Sequence, residues 1–369
     1  AKEGNPGNNL LPRIPLVRQV FDHPSVVGAL KSVAGDDYYL QPHRHPHDNK
    51  AHSKGQNMHQ DGGARWSHRS RYLLAFYYPQ DTPLERGPSG IVPGSHYFNT
   101  PEGARIDCEV PLATPAGTVT ITNYDLWHRA MPNTTDHHRY MVKFLFARMS
   151  EPQSPAWNNG QPDWPGVAPA MAGDDVQLQK MYAHVWDWHR GDPSGKLPEP
   201  ETSPADLLIT LAGDDERQAV AAAYDLAGFG AQVVPELVET LTAKTEMTRR
   251  MATYALCALG APAVDALIGT LSHDQVGART DAATTLGDIG LAATDALPAL
   301  IAASGDAHED VRKAAAEALG LIGQSTPDVV PALIDAVADE HVGVRTAAVF
   351  ALCRLGPHAA EAVAALESV

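Results

Sequence analysis

The 369-residue sequence predicts two folds in series, an all-β sandwich or barrel followed by an all-α solenoid. Three observations carry this expectation. Short β-rich runs separated by Gly and Pro turns occupy the first 150 residues, glycines recur at a near-constant interval after residue 205, and the charge changes sign between the two parts. A chain of this length exceeds one ordinary core, so several domains are the default.

Residues 1–150 hold 16 Lys and Arg against 13 Asp and Glu, whereas residues 201–369 hold 9 against 24, within a net charge of −16. An acidic surface repels phosphate, so nucleic acid is not an expected partner of the C-terminal part. No run of about 18 apolar residues is present, so neither a transmembrane helix nor a membrane partner is expected. The opening residues Ala1 to Gly7 lack the apolar core of a signal peptide. Cys108, Cys257 and Cys353 are far apart and odd in number. They predict reduced thiols and a cytoplasmic setting rather than a disulfide framework.

In chain order, Ile14 to Phe21 and Ser25 to Val33 are packing elements, the second a short helix capped at or near Ser25 and stopped by Gly35. Asp37 to His47 reads as a strand with His43, His45 and His47 on alternate positions. Pro42, Pro46 and the lack of a closing ligand set favour the mouth of a pocket over a separate zinc site. In Met58-His59-Gln60-Asp61, the imidazole and carboxylate stand two apart on an extended segment, so they share a face and can grip one metal. Arg65 to Arg71 is basic and aromatic, either a substrate-contacting lid or a solvated loop. Tyr72 to Tyr78, bounded by Pro79, has the composition of a central strand. Tyr77 points either into the site pocket or into the core. Ala104 to Leu112, Thr118 to Asn123 and Tyr140 to Arg148 complete the strands. His128 follows the run Gly117 to Asn123 and offers a third ligand. Two His and one carboxylate leave three octahedral positions open, as non-haem Fe(II) oxygenases require. Arg139, eleven residues further on, can clamp a carboxylate through two parallel hydrogen bonds.

His59-x-Asp61, His128 and Arg139, with Gly87-Pro88-Ser89-Gly90 and Pro93-Gly94-Ser95-His96 between them, resemble the phytanoyl-CoA dioxygenase family of Fe(II)/2-oxoglutarate enzymes over roughly residues 8 to 150. The resemblance implies a double-stranded β-helix, the cupin-like jelly roll, with flanking helices in residues 1–150. It implies Fe(II) on the catalytic residues His59, Asp61 and His128, the distal carboxylate of 2-oxoglutarate on Arg139, and O2 as oxidant. Tyr77 and Gln60 are the further cosubstrate candidates, although strand alternation turns Gln60 away from the ligands. Asp125 and Trp127 are candidates to support the metal ligands. Relatives often carry a hydroxyl residue two positions after the distal His, where this chain has Ala130. The implied reaction is hydroxylation of a small molecule with release of succinate and CO2, desaturation or ring closure remaining open. Asp61 argues against halogenation, since related halogenases lack the carboxylate. Family members usually carry a leading segment, and this chain opens on Ala1 rather than Met, which fits an omission of native residues.

Residues 151–204 are rich in Pro and hold Trp157, Trp164, Trp186 and Trp188, which predicts a packed bridge with one helix, Asp174 to Arg190. In residues 205–369, Gly230, Gly260, Gly290, Gly323 and Gly356 recur at intervals of 30, 30, 33 and 33. Arg249, Arg279, Arg312 and Arg345 precede the last four by eleven residues, while the first unit has Ala219. The pattern resembles about five HEAT-like repeats stacked on a shared core. The recurrent Arg is expected to bond between repeats, and the acidic solenoid to bind a protein partner or itself. The alternative function is an adaptor whose repeats recruit a partner while the oxygenase domain is degenerate or acts on a protein. An intact triad with Arg139 argues against degeneration.

Overall fold

The computed structural model describes residues 7–62, 66–158, 160, 164–166, 175–192, 196–323 and 326–367. The chain divides into two compact units, residues 1–149 with 155–160 and 168–173, and residues 150–154 with 161–167 and 174–369.

The first unit opens with three short helices, α1 (Leu10–Arg13), α2 (Leu16–Phe21) and α3 (Pro24–Ala34). The His23 ring caps α3 by accepting from the Ser25 N–H, and Gly35, at φ 86°, ends it. There follow β1 (Tyr39–Asn49), β2 (Tyr72–Tyr78), β3 (Ser89–Ile91), α4 (Pro101–Ala104), β4 (Val110–Pro111), β5 (Thr118–Asn123), β6 (His128–Ala130) and β7 (Arg139–Ala147). They form two antiparallel sheets, in the orders β1-β7-β2-β5 and β4-β3-β6. This is the jelly-roll expectation, with a helical layer added.

Period-two alternation sorts the larger sheet into two faces. Leu73, Ala75, Val142, Phe144 and Phe146 pack against Phe21, Leu30 and Ala34 of the helices. Leu74, Phe76, Tyr78, Met141 and Leu145 form a separate inner cluster. Each fully buried Leu or Phe contributes roughly 1.5–3 kcal/mol, so a strand shifted by one residue would lose most of this face.

Two expectations are corrected. Ala104 to Leu112 is not one strand: Pro101, after the Thr100 cap, starts the turn of α4, Arg105 at φ 54° breaks it, and only Val110–Pro111 pairs with β3. His128 lies on β6, in the other sheet from the β5 run that precedes it. The lid-or-loop segment is also not a solvated loop over its second half: His68, Arg69, Ser70 and Arg71 are buried, while Trp66 and Ser67 are half-buried. Arg65 lies outside the described residues.

The second unit begins with α5 (Gln179–His189) and α6 (Pro204–Leu211). Trp188 Nε1 donates to Glu151, and Trp164 Nε1 to Gln179, so this Trp-rich stretch is packed. Asp174, the expected helix start, is outside the described residues. Five helix pairs follow: α7 (Glu216–Ala227) with α8 (Val234–Thr240), α9 (Glu246–Leu259) with α10 (Val264–Thr270), α11 (Val276–Ile289) with α12 (Leu297–Ala303), α13 (Glu309–Ile322) with α14 (Val330–Val337), and α15 (Val342–Leu355) with α16 (Val363–Leu366). Gly230, Gly260, Gly290 and Gly356 turn the chain at φ of 68°, 67°, 75° and 53°, a region that favours glycine. Gly323 recurs for another reason: at φ −79° it sits so close to Leu319 that a Cβ would lie 2.7 Å from its carbonyl oxygen.

Three of the four recurrent arginines bond to a carboxylate at or beyond the start of the next repeat. Arg279 grips both carboxylate oxygens of Asp306 at 2.8 and 3.0 Å, and Arg312 grips Asp339 at 2.7 and 3.0 Å. Arg249 reaches Asp281 at 2.8 Å, and Arg345 donates to the Asp339 and Glu340 carbonyls. Val276–Ala303 and Val342–Leu366 are long and apolar enough to cross a membrane by length and composition. Each, however, is two helices of one repeat, interrupted by non-helical backbone at Ala293 or Ala359.

Candidate metal centre

His59 and His128 face each other across an isolated antiparallel bridge, each backbone N–H donating to the other's carbonyl at 3.0 and 2.9 Å. Opposed residues in such a pair project to one side, and their ring centroids are 4.6 Å apart. Each Nδ1 lies 2.8 Å from the carbonyl two residues earlier, Asn57 for His59 and Leu126 for His128. These contacts assign the ring proton to Nδ1 and leave Nε2 as the donor atom. Asp61 turns to the same side, with Oδ1 4.0 Å from His59 Nε2 and Oδ2 3.6 Å from His128 Nε2. One ligand atom from each of the three falls within 4.8 Å of the others.

Electrostatics hold His128 and Asp61 in their ligating forms. Burial, reinforced by Lys143, pushes the His128 imidazole down to about 4, so it is neutral near pH 7. Burial works against the Asp61 carboxylate, yet Lys143, His128 and His59 together hold it below its ordinary value. Two imidazoles and one carboxylate suit a divalent first-row metal.

Gln60 is corrected as a cosubstrate residue. Its amide donates to the Phe98 and Asp125 carbonyls at 3.0 and 2.7 Å, on the side away from the ligands. Trp127 Nε1 donates to the same Phe98 carbonyl at 3.0 Å, and its N–H to Ser95 Oγ. Gln60 and Trp127 thereby brace the two ligand-bearing segments.

Arg139 is 1% exposed at the start of β7. Its Nε donates to the Gly87 carbonyl at 3.0 Å, and among the described residues its two terminal nitrogens have no acceptor. Gly87 is held at φ +67°, and a Cβ there would meet Asn49 Nδ2 at 2.4 Å. Beside Arg139 stands Tyr78, fully buried, its hydroxyl without a well-aligned partner among the described residues. Burial raises this phenol, while Ser89 and Arg139 pull the other way. Tyr77, the sequence candidate, is corrected: it packs on the helix-facing cluster and lines a cavity with Leu16, Val20 and Val26, on the opposite face.

Residues 2–141 match the phytanoyl-CoA dioxygenase family. The first unit carries a phytanoyl-CoA dioxygenase domain. Residues 270–353 of the second match HEAT repeats. No curated protein matches the chain. Among solved structures, HygX from Streptomyces hygroscopicus, with nickel and 2-oxoglutarate bound, is 16% identical over 47% of this chain and 80% of its own, with a TM-score of 0.34. The α-ketoglutarate-dependent epimerase SnoN from nogalamycin biosynthesis is 21% identical over 44% and 69%, with a TM-score of 0.33. The CpcE and CpcF complex of phycocyanin lyase from a Nostoc species is 25% identical over 37% and 87%, with a TM-score of 0.35. The chain spans 32% of the length of EvdMO1 and 60% of apo ThoJ.

Within the dioxygenase domain, sequence reasoning missed Lys143. This residue is 3% exposed, and its Nζ lies 2.5 Å from Asp61 Oδ2 and 3.4 Å from His128 Nε2. Its signal was its parity with Arg139, four residues earlier on one strand. Ala130 offers no hydroxyl, and the Tyr78 phenol stands beside Arg139.

Proposed function

We propose that the dioxygenase domain is an Fe(II)- and 2-oxoglutarate-dependent oxygenase that hydroxylates a small-molecule substrate, with succinate and CO2 as coproducts. The observation that carries this reading is the buried Arg139 guanidinium with an unfilled fork, on the same inner wall as a compact His-Asp-His set. A buried charge without a partner is strongly unfavourable, and a carboxylate meets a guanidinium fork with two parallel hydrogen bonds. In this assignment His59 Nε2, His128 Nε2 and an Asp61 oxygen hold Fe(II), which supplies the oxidative chemistry when bound. Arg139 and the Tyr78 hydroxyl bind the distal carboxylate of 2-oxoglutarate and so orient its other end. The inner apolar cluster of Leu74, Phe76, Met141 and Leu145 keeps bulk water from that wall. We further propose that the acidic repeats bind a basic protein surface or a second copy, an attraction that salt would screen.

The test is Fe(II)-dependent release of succinate from 2-oxoglutarate by the full chain, without added substrate. His128→Ala should abolish it and lower metal affinity, since two remaining ligands lose both geometry and binding strength. Undiminished release in His128→Ala would reject the assignment.

A further inference from the structure

Lys143 stands on the inner face of β7 and reaches from the larger sheet to the ligand set. The two atoms its ammonium approaches, Asp61 Oδ2 and His128 Nε2, are atoms that a bound metal also needs. A dication and an ammonium cannot draw on both together without strong repulsion at low dielectric. Metal entry therefore takes from Lys143 the carboxylate oxygen it now holds. Among the described residues, no carboxylate other than Asp61 pairs with it.

The wall beside Lys143 is built from β1. His45 is directly opposite Lys143 in the strand register, and His47 is opposite Met141 of the inner cluster. His43 and His47 flank His45 on the same face, with ring centroids 4.9 and 4.5 Å from it. Nε2 of His43 and of His47 is buried without a hydrogen-bond partner among the described residues. Burial and Lys143 lower all three imidazoles, His47 to about 3. The row thus offers ring nitrogens without partners among the described residues, beside the Lys143 side chain.

We propose that Lys143 and the His43, His45 and His47 row form a subsite for the carboxylate of an organic-acid substrate, beside the metal centre. The inference rests on the oxygenase reading above and narrows its substrate class. A single lysine offers one charge-assisted hydrogen bond, which suits a carboxylate better than a phosphate dianion. Arg139 lies four residues away and is assigned to the cosubstrate, so the two cations serve different carboxylates.

The experiment uses the full chain loaded with Mn(II) and titrated calorimetrically, first with 2-oxoglutarate, then at saturating 2-oxoglutarate with acetate, benzoate, inorganic phosphate and neutral benzamide. Wild type should bind acetate or benzoate in preference to phosphate and benzamide. Lys143→Met should weaken carboxylate binding by about tenfold or more, the loss of one charge-assisted hydrogen bond. It should also retain 2-oxoglutarate affinity and bind Mn(II) at least as tightly as wild type, and Lys143→Arg should keep most of the carboxylate affinity. Equal carboxylate affinity in wild type and Lys143→Met, no carboxylate binding by wild type, or tighter phosphate binding would overturn the subsite. A parallel loss of 2-oxoglutarate affinity would assign Lys143 to the cosubstrate instead. Wild type that binds neither Mn(II) nor 2-oxoglutarate would overturn the oxygenase reading and the subsite with it. If Lys143→Met folds poorly, Mn(II)-induced broadening of benzoate ring protons in wild type decides: broadening places the anion at the metal, and its absence overturns the proposal.

Discussion

Replacing Arg139 by Leu separates a binding role from a folding role. In the ligand-free protein the guanidinium is 1% exposed and keeps one acceptor, the Gly87 carbonyl. Burial pulls its pKa below the ordinary arginine value, the sign of an unfavourably placed charge. The substitution loses a hydrogen bond worth about 1 kcal/mol but also removes a buried ion whose desolvation costs several kcal/mol. Thermal stability without ligand should therefore hold or rise. With 2-oxoglutarate the balance reverses, because truncating one partner of a buried charge pair costs roughly 2–5 kcal/mol, a loss of about 30- to 5000-fold in affinity. The assays are calorimetric titration of 2-oxoglutarate into the metal-loaded protein and thermal unfolding of the ligand-free protein. Unchanged 2-oxoglutarate affinity would refute the role. A large fall in ligand-free stability would show instead that Arg139 is needed for the fold.

Tyr78→Phe should raise the 2-oxoglutarate KM about 2- to 10-fold through loss of one hydrogen bond, while Tyr77→Phe should leave it unchanged; the reverse order would restore Tyr77 to the pocket. In the solenoid, Asp306→Asn should lower stability by about 1.5–3 kcal/mol, as it breaks a bidentate charge-assisted pair, read as a fall in the unfolding midpoint. Arg279 and Arg312 hold Asp306 and Asp339 below the ordinary carboxylate value. That stabilisation is present above the unfolded value of 3.8 and is lost as pH falls through the lower folded values, so the double Asn variant should show a shallower acid-side decline. Asp281 has the opposite sign: burial raises it to about 6, so its contribution is full below 3.8 and lost as pH rises through about 6. Asp281→Asn should flatten stability over that interval, and an unaltered pH profile would count against the assignment.

The larger sheet and the repeats were legible because their signals are local. Tyr72–Tyr78 and Thr118–Asn123 form strands where their composition places them, and four of the five periodic glycines do turn the chain through positive φ. Val110–Pro111 was obscured by a different kind of cause. The apolar content around it reads as a strand, but Pro101 at a helix start and Arg105 in the left-handed region redirect the backbone, leaving only two residues to pair. Gly323 kept the repeat spacing while its reason changed from dihedral freedom to the closeness of Leu319.

The site was legible where one strand or one spacing contained the information, and not where two strands had to be aligned. His59 and Asp61 share a face by spacing alone, and Arg139 is marked by its distance from His128. Tyr77 against Tyr78 depends on how β2 meets β7, and a single residue decides the face. The register pairs Tyr77 with Val142 and Phe76 with Lys143. Val142 lies with the helix-facing core, so Tyr77 must as well, and Tyr78 joins Phe76 on the metal side. The same parity puts Lys143 on the wall of Arg139, and the β1 register then puts His45 opposite it. Once Arg139 is accepted as facing inward, alternation along β7 requires Lys143 to face inward too. A second buried cation near the ligand set is thus a consequence of the first, and it is the antiparallel register that decides which aromatic and which histidines meet it.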